Sequence, residues 1–155
     1  MYTVITHSPE ETIETAGVIG RSLGPGSFVA LSGDLGAGKT VFAKGLAKGA
    51  GVAEYLYVNS PSFVILKQYK GKMDLYHFDL YRLEEKDFEE TLDYRRYFYG
   101  DGIAAVEWCD RIPHLLPEEY LEVKIVSLGD NERKITLRGI GKRYEELVEH
   151  MGRGS

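Results

Sequence analysis

Ser27-Phe28-Val29-Ala30-Leu31-Ser32-Gly33-Asp34-Leu35-Gly36-Ala37-Gly38-Lys39-Thr40 begins as an apolar run and passes directly into glycines. An unbroken apolar run between turn residues suits a strand buried on both faces, the habit of a parallel sheet. Residues 33–40 fit the spacing G-x-x-x-x-G-K-[ST], and Val41 to Ala50 reads as a helix with small residues on one side. Strand, glycine loop and helix in that order form the first half of a nucleotide-binding unit. The backbone amides of Gly33, Asp34, Leu35, Gly36, Ala37 and Gly38 are expected to wrap a polyphosphate, which needs torsions that a side chain would forbid. Lys39 would add charge against the outer phosphates, Thr40 would offer its hydroxyl to Mg²⁺, and the helix would aim its positive end at the same anion. The plainer alternative is a glycine-rich turn before a helix.

Outward from this unit, Met1 to Thr6 alternates like a strand. Ser8-Pro9-Glu10-Glu11 then supplies an N-cap, a proline at the first helical position and a capping-box acid. Leu23-Gly24-Pro25-Gly26 stops that helix. Phe63 to Tyr69 and Met73 to Leu80 read as a hairpin around Lys70-Gly71-Lys72. Glu84 to Glu90 favours a helical connection that continues irregularly from Thr91 to Tyr99. Ile103 to Val106 is a second buried strand, Leu121 to Leu128 and Arg133 to Arg138 form a late hairpin about Gly129-Asp130-Asn131, and Tyr144 to Met151 closes as a short helix. The expected fold is α/β of the P-loop NTPase type: a mainly parallel central sheet with flanking helices and antiparallel hairpin additions. It forms one domain over residues 1–151, with 152–155 as a flexible tail.

The chain has 155 residues, enough to bury roughly 70% of the surface its unfolded form exposes. Its single cysteine, Cys109, has no internal partner, and no Cys/His pair has zinc-ligand spacing, so a disulfide scaffold and a structural zinc module are excluded. A reducing cytoplasm is the expected setting, since neither a leader-like start nor a bilayer-length apolar run is present. With 19 Lys and Arg against 24 Asp and Glu, the net charge of -5 has the wrong sign for gripping nucleic acid through its phosphates.

Nucleotide hydrolysis or transfer needs acids that fix a metal and orient the nucleophile. Asp79 and Glu107 each end an apolar strand, and ligands of open parallel sheets lie beyond the strands' carboxyl ends. Asp79 has a second reading as a cap or an Arg82 ion pair, and Glu107 as a surface pair. His77 reads as a structural group. Trp108 reads as core or as a partner anchor. Asn59-Ser60-Pro61-Ser62-Phe63 suits either a segment closing on the terminal phosphate through Ser62 or a plain turn. Tyr55 to Tyr57, and Tyr94, Tyr97 and Tyr99 around Arg95 and Arg96, read as core edge or as a partner surface. No Asn-Lys-x-Asp follows the loop, which favours ATP over GTP. The absence of an Arg-rich lid leans toward an ATPase over a small-molecule kinase, the alternative that uses the same loop.

Leu31 to Thr40, Ser60 to Phe63, Tyr76-His77-Phe78-Asp79-Leu80-Tyr81-Arg82-Leu83 and Val106-Glu107-Trp108, in this order and spacing, together resemble the TsaE (YjeE) family. These are small ATPases of tRNA threonylcarbamoyladenosine biosynthesis. The resemblance implies ATP and Mg²⁺ in the 33–40 loop, Thr40 and Glu107 at the metal, Asp79 at the metal or the attacking water, and Ser62 in a nucleotide-sensing switch. It also implies TsaB and TsaD as partners, with TsaD performing the transfer to the adenosine beside the anticodon. Hydrolysis here would reset the complex, and tRNA would be reached only through it. In the family the switch usually carries Thr where Ser62 stands, and Pro often stands where Cys109 does.

Overall fold

The computed structural model describes residues 1–34, 36–59, 65–91 and 93–153. Leu35, the whole of 60–64 with Ser62 and the expected switch, Leu92 and residues 154–155 lie outside the described residues. The strand β2 (Ser27–Ser32) is buried from Ser27 to Leu31. It is flanked in parallel by β5 (Ile103–Glu107) and β6 (Tyr120–Ser127). β5 pairs in parallel with β4 (Leu75–Asp79), and β4 pairs antiparallel with β3 (Leu66–Tyr69). On the other side β6 turns back into β7 (Arg133–Ile140), which pairs antiparallel with β1 (Tyr2–Thr6). The described residues thus form a seven-stranded sheet in the order β1-β7-β6-β2-β5-β4-β3, parallel in its middle and antiparallel at both margins. The expected fold class is what is found.

Alternation along β2 divides the core in two. Val29 and Leu31 join a cluster with Phe42, Leu46, Ala105 and Val123, covered by α1 (Pro9–Ser22) and α2 (Lys39–Gly49). Phe28 and Ala30 join Phe78, Phe88, Phe98 and Val106 on the other face, covered by α3 (Glu85–Thr91) and α4 (Tyr94–Phe98). α1 starts as its sequence dictates: Ser8 Oγ accepts a hydrogen bond from Glu11 N at 3.1 Å, and Pro9 occupies the first turn. Such a cap contributes about 1 kcal/mol. The small residues of α2 let the two helices touch closely. A Cβ on Gly45 would stand 2.4 Å from Ala16 Cβ and 2.5 Å from the Ile13 carbonyl.

Three expected boundaries differ. The stretch read as irregular after residue 90 contains α4, because Tyr94 and Phe98, four apart on one helical face, both bury against Phe88. Among the described residues the hairpin strands are shorter, with Ile65 ahead of β3 and Met73 ahead of β4, while Phe63 and Val64 lie outside the described residues. The terminal helix α5 (Lys142–Arg153) runs past Met151 into the stretch set apart as a tail, burying Tyr144 and Val148. No described helix is long and apolar enough to cross a membrane.

Candidate functional site

The loop between β2 and α2 is shaped by its glycines. Gly38 (φ 105°) is the N-cap of α2 in left-handed backbone, with no side chain turned onto the first helical N–H groups. Those donors therefore remain free of a side-chain cap, the arrangement in which a helix start receives an anion. Gly33 (φ 154°) lies against β6, where a Cβ would meet the Ile125 carbonyl at 2.6 Å. Ala37 is buried, and its N–H donates to the Asp34 carbonyl at 2.9 Å, closing the loop on itself. Gly36 is exposed at the tip, and Thr40 is the half-buried second residue of α2. The loop and the first residue of α2 bring the Lys39 ammonium to the sheet's carboxyl end, at the end of β5.

The acids arrive there from neighbouring strands. Asp79 and Glu107 are register partners at the ends of β4 and β5, and Leu31 of β2 stands opposite Glu107. Glu107 is 4% exposed. Its Oε1 lies 3.5 Å from Lys39 Nζ, and its Oε2 lies 2.8 Å from His77 Nε2. Burial pushes this carboxyl upward, but the His77 hydrogen bond and the Lys39 ammonium outweigh it and hold the group below its ordinary value. Glu107 is thus a buried anion shared between the glycine loop and the sheet. Asp79 Oδ1 accepts from Tyr81 N at 3.1 Å, a local turn bond and not a helix cap, since α3 starts at Glu85, and the carboxylate is half-buried at the strand end that pairs with Glu107.

Among the described residues, no group of three or more His, Cys, Asp or Glu side chains could hold a metal by themselves. Mg²⁺ is ordinarily bound through one or two protein groups together with phosphate and water oxygens. The anionic Glu107 and the Thr40 hydroxyl fit that kind of site.

β5 ends at Glu107 because Trp108 adopts left-handed backbone (φ 65°), a conformation that costs an L-residue roughly 1–3 kcal/mol. The turn carries the indole back over Lys39, with Nζ 5.1 Å from the ring centroid, and against Tyr81 at 4.8 Å. Sequence alternation had no means of anticipating this reversal. Cys109 follows in a short 3₁₀ turn, half-buried, and burial pushes its thiol up to about 12.

Two clefts flank the loop. A cavity of about 540 Å³ lies on the α3/α4 side, with Ala30, Leu116, Tyr120 and Trp108 as walls and Lys39 at its mouth. A smaller cleft of about 40 Å³ lies at the opposite end of the loop between Pro9, Thr12, Gly38, Val41 and Arg133. Arg133 was not singled out by any motif. Its guanidinium donates to the Gly129 and Glu132 carbonyls at 2.8 and 2.9 Å and reaches the Gly36 carbonyl at 3.5 Å, so the β6–β7 turn is held to the loop. The tyrosines divide: Tyr94 is buried and Tyr97 meets Tyr76 edge to face, while Tyr57 and Tyr99 are exposed.

The family described as Threonylcarbamoyl adenosine biosynthesis protein TsaE matches residues 6–135. The chain is 45% identical over 149 residues to the tRNA threonylcarbamoyladenosine biosynthesis protein TsaE of Bacillus subtilis (strain 168), covering 96% of this chain and 92% of that one. It is 38% identical over 133 residues to the protein of the same name from Treponema pallidum (strain Nichols), covering 86% and 97%. A crystal structure of YdiB from Bacillus subtilis matches with a TM-score of 0.80 and 39% identity, covering 99% of this chain and 95% of the other.

Proposed function

We propose, since the chain belongs to the TsaE family of threonylcarbamoyl adenosine biosynthesis proteins, that it is a Mg²⁺-dependent ATPase whose hydrolysis resets a tRNA-modifying complex. Its partners on this reading are TsaB and TsaD in the cytoplasm, and tRNA is engaged only through them, as the net charge of -5 favours. The observation that carries the reading is the Lys39–Glu107–His77 chain of contacts at the uncapped start of α2.

The loop amides from Gly33 to Gly38 cradle the triphosphate, and Lys39 leaves Glu107 to meet its outer oxygens. Thr40 and Glu107 hold Mg²⁺, and Asp79 contributes to the metal or orients the attacking water. Mg²⁺, when bound, neutralises charge on the β- and γ-phosphate oxygens. Ser62 serves as the switch that senses the nucleotide. The rest is positioning, and a site of this kind, completed by partners, turns over slowly alone. The domain that does this takes in the terminal helix to Arg153.

Turnover of MgATP by the unmutated chain and by Glu107→Ala, alone and with TsaB and TsaD, tests the proposal. Loss of hydrolysis in a folded variant, with repeated rounds of tRNA modification dependent on cleavage, is expected. Unchanged hydrolysis removes Glu107 from the mechanism.

A small-molecule kinase has one observation in its favour, the apolar cavity of about 540 Å³ opening at Lys39. On that reading, ATP consumption rises with an acceptor and yields a phosphorylated product.

A further inference from the structure

The group behind Glu107 is as specific as the groups in front of it. His77 is fully buried in β4 and pairs in register with Ala105, two residues before Glu107. Its Nε2 meets Glu107 Oε2 at 2.8 Å, and its Nδ1 has no hydrogen-bond partner among the described residues. A carboxylate oxygen accepts and cannot donate, so the contact requires hydrogen on Nε2. Among the described residues this leaves a bare Nδ1 lone pair unsatisfied, a smaller defect than a buried N–H with no acceptor.

We propose that His77 is a positioning residue that holds the Glu107 carboxylate in a single orientation, its Oε2 tied back into the sheet and its Oε1 turned toward the glycine loop. The proposal rests on the ATPase reading of Glu107. Lys39 is the other group at this carboxylate, its Nζ 3.5 Å from Oε1. Without His77, Oε2 is a buried acceptor with no donor, and the carboxylate gains by rotating both oxygens toward Lys39. That rotation costs the reaction, because Glu107 no longer presents the geometry that a metal and a water require. Nucleotide binding through the loop amides is left intact.

The donor's position separates this role from filling space. A glutamine amide reaches the place of Nε2, whereas an asparagine amide reaches only the place of Nδ1. In the full chain, under conditions where the unmutated protein hydrolyses MgATP, His77→Leu and His77→Asn are expected to lower kcat roughly 10- to 100-fold with little change in KM. His77→Gln is expected to recover most of that loss. Turnover by the Leu variant at the unmutated rate, or equal turnover by Asn and Gln, overturns the proposal.

Should the Leu variant not fold, the Asn and Gln pair still decides. Nitrogen-15 NMR of the unmutated chain provides a readout independent of hydrolysis: hydrogen on Nε2 with a bare Nδ1 is expected, and hydrogen on Nδ1 with a bare Nε2 overturns the assignment. If the unmutated chain hydrolyses no ATP while the ring shows the expected tautomer, the ATPase reading fails and the His77 tie to Glu107 stands.

Discussion

Lys39 Nζ and Glu107 Oε1 stand 3.5 Å apart, joining the first residue of α2 to the last residue of β5. Both side chains are nearly buried, so neither charge is well served by water, and each depends on the other. On the proposed reading, a polyphosphate entering the loop would compete with Glu107 for the ammonium, and a divalent cation arriving with it would replace Lys39 as partner of the carboxylate. The pair would then link occupancy of the loop to the state of the strand end.

Trp108 reports on that exchange. It is the single tryptophan of the chain, and its ring faces the Lys39 ammonium at 5.1 Å. Addition of MgADP is expected to change its emission saturably, because Lys39 moves or gains a negative neighbour. Emission that stays constant across a range that saturates binding would contradict the placement of the phosphates beside Lys39.

The depressed carboxyl of Glu107 has a consequence for folding. A group whose folded value lies below its unfolded value contributes stability above the unfolded value, and that contribution disappears as pH falls through the folded one. Urea unfolding of the nucleotide-free protein is therefore expected to lose stability below about pH 4.5 more steeply than unfolding of Glu107→Gln. Glu14 and Glu85 are also held low, by Lys48 and His114, but they are common to both proteins and cancel in the comparison. Parallel curves for the two proteins would show that Glu107 is not depressed.

Gly45 and Gly38 separate fold from site. Gly45→Ala forces a Cβ into Ala16 and the Ile13 carbonyl, which is expected to cost about 1–3 kcal/mol in thermal or denaturant unfolding while leaving nucleotide affinity near its original value.

Gly38→Ala meets no close neighbour, since Arg133 Nε at 3.5 Å is an ordinary contact, but it must hold φ 105°. The backbone cost is about 1–2 kcal/mol, and relief of it re-aims the first N–H groups of α2. Calorimetry with MgADP is expected to show weakened binding by Gly38→Ala and not by Gly45→Ala. The reverse order would move the site away from the helix start.

Much of this was legible because it is local. The run from Ser27 to Thr40 carries its own strand, turn and helix signals, and Gly129-Asp130-Asn131 marks the β6–β7 turn. Asp79 and Glu107 were visible as acids at strand ends, and their register pairing follows from parallel strands. The tie between His77 and Glu107 was not legible, since it joins residues on two strands 30 positions apart and depends on side-chain direction. The Trp108 reversal was hidden for another reason: left-handed backbone at a tryptophan runs against local preference, and only the finished site holds it there. Helix α4 was hidden by polar Arg95 and Arg96, which sit on the face opposite buried Tyr94 and Phe98.

The central claim is that the Gly33–Thr40 loop holds the phosphates of ATP with Lys39 as their cation. Titration calorimetry of the folded, full-length chain with MgATP and MgADP measures this directly. Saturable binding of both, weakened at least roughly tenfold in Lys39→Ala as befits loss of a charge-assisted hydrogen bond, is the predicted result. Absence of any binding of ATP or ADP by the unmutated protein at millimolar concentration with magnesium present would contradict it.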